Sequence, residues 1–287
     1  MKHTFQLLKP LLFPTAALFA LGNTQASPLF PEAPGMVSYT YRDQFKNDVP
    51  GTLDTIKALG IRDMEFSNLF GKTAAELRQM LDARDMFCSS FGVSYDDLVN
   101  KTDEVARNAK TLGAKFVRVA WIPHEPPFTP ELIRKTAADF NRAGKHLREK
   151  HGLTFCYHNH GYEFQPHGKG TLFDVLMVET NPEDVSIELD ILWAFHPGAD
   201  PARLLEQYGS RIKLMHVKDL RKGVKGDFSG KTPVENDVAL GTGQLDIPAI
   251  LKAAKKAGVQ HYYIEDESPS IATQVPQSLA YLRSLKN

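Results

Sequence analysis

Cysteine is scarce in this chain: two in 287 residues, Cys88 and Cys156. That excludes a disulfide scaffold and a Cys-ligated zinc module. Neither sign of charge is in excess, with 34 Lys and Arg against 34 Asp and Glu. The basic footprint of a nucleic-acid-binding protein is therefore missing. No apolar run reaches the ~20 residues of a membrane-spanning helix. No Gly-rich phosphate fingerprint follows the first strand-like segment, which disfavours an open doubly wound sheet. No Pro- or Ser-rich linker divides the chain. Disorder is excluded by what is present, since 42% of residues are hydrophobic and 10% aromatic.

The first segment reads as an address. Residues 1–26 carry Lys2 and Lys9, an apolar stretch over 11–21, and Thr24 and Ala26 at the −3 and −1 positions of a cleavage site. This is the layout of a secretory signal peptide. The expected mature chain, residues 27–287, is periplasmic or secreted, with no membrane span after cleavage. Removal of 1–26 takes two lysines and no acidic residue, so the rest is slightly acidic. Cys88 and Cys156 lie in strand-like FCSS and FCYH and are expected as buried free thiols.

One local phrase recurs: a helical segment ending in Gly, then a short apolar strand. It occurs as KALGIRDMEF, KTLGAKFVRV, EKHGLTFCYH and KKAGVQHYYI. Gly just past a helix adopts the left-handed conformation without a Cβ clash. The full pattern places strands near 36–40, 61–66, 86–91, 115–121, 153–159, 185–190, 211–217 and 260–265. A helix follows each, near 51–59, 73–84, 94–112, 130–150, 171–179, 200–208, 246–257 and 275–285. Eight β-then-α units in order predict a single-domain α/β fold, a (β/α)₈ TIM barrel. The long connection 219–245 falls on the face that carries active sites in such barrels. It is expected to wall the site, as a lid.

Charged residues interrupt the apolar strands at their C-terminal ends. His158 and His160 share a strand face in CYHNHGYEF, with Glu163 beyond; Glu188 and Asp190 share one in SIELDILW. His216 and Lys218 alternate with apolar neighbours in LMHVKD, and Glu265 and Glu267 in YYIEDE. Inward charges without partners cost several kcal/mol each. One divalent metal ion (Mn, Mg, Co or Zn) resolves that cost, and carboxylates with imidazole suit these ions.

Together YHNHGYEF, ELDILW, MHVKD, LGTGQLD and YIEDE, in this order, resemble the sugar phosphate isomerase/epimerase family of the xylose-isomerase-like barrel superfamily. The likeness runs from about Met36 to the C-terminus. It implies one divalent ion on a Glu, an Asp, a His and a Glu from the last four strands. The last three positions are matched by Asp190, His216 and Glu265. Glu163 is assigned as the remaining ligand, with His158 as the alternative. His160, Glu163, Glu265 and His158 are the implied acid/base residues. Trp193 departs from the His that ketohexose epimerases of the superfamily share.

Further candidates for substrate contact are Glu65, Trp121, His124, Trp193, Lys218 and Tyr39, with Arg42 beside Tyr39. Each has a structural alternative: a salt bridge for Glu65, packing for Trp121, an ion pair with Asp219 for Lys218. His146, His151 and His261 are expected in solvent. The expected partner is a small carbohydrate. The leading reading is proton abstraction beside a sugar carbonyl, giving an enediolate whose charge the ion stabilises, as in an isomerase or epimerase. The alternative is elimination from the same intermediate by a lyase or hydrolase acting on 3-keto-glycosides. A non-catalytic exported sugar-binding protein is disfavoured by the retained ligands. A DNA-repair nuclease on the same barrel is disfavoured by the charge balance.

Overall fold

The computed structural model describes residues 34–286 together with Met1 and Leu29. The expected export segment, Met1 apart, lies outside the described residues. Eight parallel strands close into a barrel in strict chain order. They are β1 (Gly35–Val37), β2 (Asp63–Phe66), β3 (Phe87–Gly92), β4 (Phe116–Val119), β5 (Thr154–His158), β6 (Val185–Asp190), β7 (Ile212–Val217) and β8 (His261–Ile264). Main helices follow: α1 (Val49–Ala58), α2 (Ala74–Asp82), α3 (Thr102–Leu112), α4 (Pro130–His146), α5 (Leu172–Glu179), α6 (Pro201–Tyr208), α7 (Ile247–Ala257) and α8 (Ile271–Ser284). No described helix is long and apolar enough to cross a membrane.

Local signals account for these boundaries. The glycines of the recurring phrase, Gly60, Gly113, Gly152 and Gly258, all have positive φ, between 67° and 88°. Thr73 and Glu76 form a reciprocal capping box at the start of α2. Thr129 caps α4, with Pro130 at its first position. The span expected as one helix over 94–112 is two, because Lys101 leaves helical geometry at φ −133°. The last helix begins at Ile271, earlier than expected, and accommodates Pro276 in its second turn.

Two cores result from strand alternation. Residues facing outward, such as Ile187, Leu189, Met215 and Val217, join the large core beneath the helices. Inside the barrel, Val37, Phe116, Cys156, Leu214 and Tyr263 form a smaller apolar cluster. Both cysteines are buried free thiols. Above the inner cluster the interior turns polar. Register shifts occur between Met64 and Glu65 and between Ile187 and Glu188, where inward carboxylates enter. Such bulges re-aim side chains at a barrel wall.

Gly144, in mid-helix, is explained by proximity alone. A Cβ there would lie 2.1 Å from the Asp184 carbonyl oxygen just before β6. Gly144→Ala is expected to lower stability by about 1–3 kcal/mol, as overpacking does. An unchanged urea midpoint would show that α4 can move away from this loop.

Candidate active site

The deeper polar layer joins β2, β4, β6 and β7. Arg118 Nη2 donates to Glu65 Oε1 at 2.7 Å, and its Nε lies 3.2 Å from Glu188 Oε2. His216 Nε2 is 2.8 Å from Glu65 Oε1, and Ser90 Oγ donates to Glu65 Oε2 at 2.5 Å. Burial opposes the Glu65 charge, but Arg118 and His216 outweigh it and hold that carboxyl well below its usual range. Burial, then the Glu65 carboxylate, pushes Glu188 well upward. The layer thus carries one firm carboxylate, one firm guanidinium and one carboxyl that resists ionisation.

At the mouth, His158, Asp190, His216 and Glu265 bring one ligand atom each within 4.8 Å of one another. His216 Nδ1 is 2.7 Å from Glu265 Oε2 and 3.7 Å from Asp190 Oδ2. His158 Nε2 lies 3.2 Å from the same Asp190 oxygen. Two buried carboxylates converging on one nitrogen require positive charge between them, from an imidazolium proton or a cation. Without a cation, burial disfavours the His216 imidazolium, yet Glu188, Glu265 and Glu65 push its pKa well up. Glu65 at Nε2 leaves Nδ1 of His216 directed at the cluster, as an oriented ligand requires. The two imidazoles and two carboxylates fit a divalent ion.

Backbone features hold the cluster in place. Asn159 brackets Asp190 twice: Asp190 N–H donates to Asn159 Oδ1 at 3.0 Å, and Asn159 Nδ2 to the Asp190 carbonyl at 3.2 Å. Asp190 Oδ1 accepts from Trp193 N–H, capping the short helix Ile191–Phe195. Lys218, 1% exposed, donates to Glu267 Oε1 at 2.7 Å and lies 3.6 Å from Glu265 Oε2. Asp219 does not pair with it. Instead Asp219 accepts N–H groups of Leu220, Gly241, Gly243 and Leu245, pinning both ends of the long connection.

The cluster opens into a cavity of about 600 Å³ that includes Tyr39, Trp121, His158, His160, Trp193 and His216 in its wall. Gly230, Lys231, Thr232, Val234 and Asp237 from the 219–245 connection complete that wall. His160 lies between Tyr162 and Trp193, both near 5.7 Å and close to parallel. Its Nδ1 is buried without a partner among the described residues. Burial, then His158, pushes its pKa well below the usual value, so the ring is neutral at pH 7.

Several expected contacts are corrected. Glu163 is absent from the ligand cluster: its carboxylate turns to the Tyr157 hydroxyl and accepts the His160 N–H at 2.9 Å. The cause is chain direction. β5 ends at His158, and the short helical turn Tyr162–Phe164 swings Glu163 behind the wall. His158 occupies the fourth corner. Glu65 is fully buried below the cavity, and His124 stacks behind Trp121 at 5.3 Å; neither lines the cavity. Lys218 is likewise buried behind the cavity-facing Glu265 and Glu267. Tyr39, Trp121 and Trp193 do line it. His146 and His151 bond Asp103 and His261 bonds Asp63, rather than standing free in solvent. Arg118 and Asn159 were missed, although an Arg within the apolar strand FVRV carries the signal used for the other charges.

Residues 53–285 match the family described as the xylose isomerase-like TIM barrel. The chain belongs to that family. The inosose dehydratase of Lacticaseibacillus casei is 26% identical over 253 residues, covering 78% of this chain and 83% of that one. The inosose dehydratase of Geobacillus kaustophilus is 25% identical over 233 residues, covering 72% and 71%. Among solved structures, a sugar phosphate isomerase/epimerase from Parabacteroides distasonis superposes with a TM-score of 0.70 at 24% identity, covering 94% of this chain and 98% of that one. An IolI protein solved with a zinc atom superposes at 0.66 and 16% identity, covering 88% and 95%. These structural likenesses concern the fold.

Burial overcomes the Tyr157 and His160 hydrogen bonds and raises Glu163 from 4.5 to about 7. Between those values the folded chain binds more protons at this site than the unfolded chain. Its contribution to stability therefore falls as pH rises from 4.5 to 7. Glu163→Gln is expected to remove that fall, gaining on the order of 3 kcal/mol over wild type at pH 8 and less than about 1 kcal/mol at pH 5. Urea unfolding across this range checks it, and parallel pH profiles would contradict it.

Proposed function

We propose that this protein is a divalent-metal-dependent lyase that eliminates a β-leaving group from a keto-sugar or keto-cyclitol. The observation that carries this reading is the four-donor cluster of His158, Asp190, His216 and Glu265, opening beside a neutral, unpartnered imidazole. Two relatives named as dehydratases support elimination over the isomerase or epimerase outcome.

When bound, a divalent ion supplies Lewis-acid stabilisation of negative charge on substrate oxygens. The chain's own residues do the rest. Trp121, 37% exposed and in the cavity wall, presents an aromatic surface against which a sugar or cyclitol ring packs. The His160 ring lines the cavity, and its Nε2, not the buried Nδ1, takes the proton from the carbon beside the carbonyl; the electron pair left behind becomes the enolate. Return of that pair forms the carbon–carbon double bond and breaks the β carbon–oxygen bond. The leaving oxygen then takes the proton held on His160. A base on one face suffices for this sequence, whereas epimerisation returns the proton to the opposite face. Lys218, held by Glu267, keeps positive charge behind Glu265 throughout.

The layout of residues 1–26 supports an extracytoplasmic setting, where free, oxidised or glycosidically linked sugars are more plausible substrates than phosphorylated ones. A cavity of about 600 Å³ accommodates more than one ring. NMR in D₂O with a keto-inositol and with 3-keto-glycosides tests the reaction. The expected result is an unsaturated ketone with release of water or aglycone, lost by about a thousandfold in Asp190→Ala and His160→Ala. Deuterium exchange without a new product would overturn elimination. Undiminished turnover in metal-free protein would overturn the metal dependence.

A further inference from the structure

A second group of metal-type donors lies in the helical layer, between α3 and α4, and none of its residues lines the cavity. Asp103 stands in the first turn of α3. His146 closes α4, and His151 closes the wider turn Leu147–His151 that continues it. His146 Nε2 is 2.7 Å and His151 Nε2 2.8 Å from the same oxygen, Asp103 Oδ1.

The wide turn is what makes this convergence. Residues five apart on an ordinary α-helix lie about 140° apart around its axis, so they do not share a face. Over Leu147–His151 the backbone expands, with Gly152 N–H reaching the Leu147 carbonyl five residues back. Fewer degrees per residue bring His151 round to His146, and the two ring centroids lie 5.4 Å apart. Such expanded turns are rare and occur frequently at functional sites. Gly152, in the left-handed region at φ 67°, ends the turn immediately after His151.

We infer that Asp103, His146 and His151 form a surface site for a divalent transition ion that favours imidazole, such as Zn²⁺. The three ligand atoms lie within 4.8 Å of one another. Ligands around zinc at ~2.0–2.2 Å stand a little over 3 Å apart, so the present hydrogen bonds need only a small opening. Asp103, with its side chain 63% exposed, has room to move, and water completes the coordination. Two nearby cations are engaged elsewhere: Lys101 with Asp97 at 2.8 Å and Arg142 with Asp139 at 2.6 Å. The same ion would tie α3 to the end of α4, stabilising the native state through binding.

Equilibrium dialysis of the full chain against Zn²⁺, with bound metal measured directly, tests the site. His146→Ala/His151→Ala is expected to bind one Zn²⁺ fewer per chain than wild type. The same decrement is expected in an Asp190→Ala background, which isolates this site from the barrel cluster. Asp103→Asn, close in shape and uncharged, is expected to weaken the same site by about tenfold or more. A zinc-dependent rise in unfolding temperature seen with Asp190→Ala should disappear when the two histidines are also replaced. Unchanged zinc stoichiometry in both the double variant and Asp103→Asn would overturn the inference.

Discussion

The constraint on which the rest depends is the confinement of carboxylates in a barrel interior. Glu65, Glu188, Asp190 and Glu265 lie inside or at the mouth of one small barrel, and all are buried. Against them stand Arg118, Lys218 and the imidazoles of His158 and His216. An isolated buried carboxylate would protonate instead of remaining charged. The barrel answers in two storeys. Arg118 bonds Glu65 and lies against Glu188 in the lower storey, and the upper carboxylates meet around His216. His216 joins the storeys, since one ring nitrogen bonds Glu65 and the other faces Asp190 and Glu265.

Much of the surrounding architecture serves that arrangement. Two register shifts in the sheet occur where Glu65 and Glu188 enter. Asn159 grips the Asp190 backbone from the adjacent strand end, and Asp219 gathers four N–H groups to hold the long connection over the mouth. The apolar cluster of Phe116, Cys156, Leu214 and Tyr263 plugs the barrel beneath the charges. Electrostatic preorganisation of this kind holds charged groups in place before a substrate arrives, so little reorganisation accompanies reaction.

The order and number of strands were legible because each unit carries its own punctuation. Gly60, Gly113, Gly152 and Gly258 end helices, and apolar runs follow them. The facing of Asp190, Glu188 and His216 was legible too, since a strand alternates strictly. Height within the barrel was not. It depends on stagger between strands, which no single segment encodes. Glu65 therefore read as a substrate contact although it lies below the cavity. Glu163 misled for another reason: five residues past His158, beyond the end of β5, strand alternation no longer says where a side chain points. A local backbone N–H captured its carboxylate instead. Arg118 needed the rule already applied to the acidic residues, that a charge within an apolar strand points inward and needs a partner.

The central claim is that His158, and not Glu163, completes a metal-binding set with Asp190, His216 and Glu265. The most direct measurement is protein-bound divalent metal in His158→Ala and Glu163→Ala, each with His146 and His151 also replaced so that only the barrel site is counted. The account predicts that His158→Ala loses the ion while Glu163→Ala retains it. Retention in the first and loss in the second would contradict it.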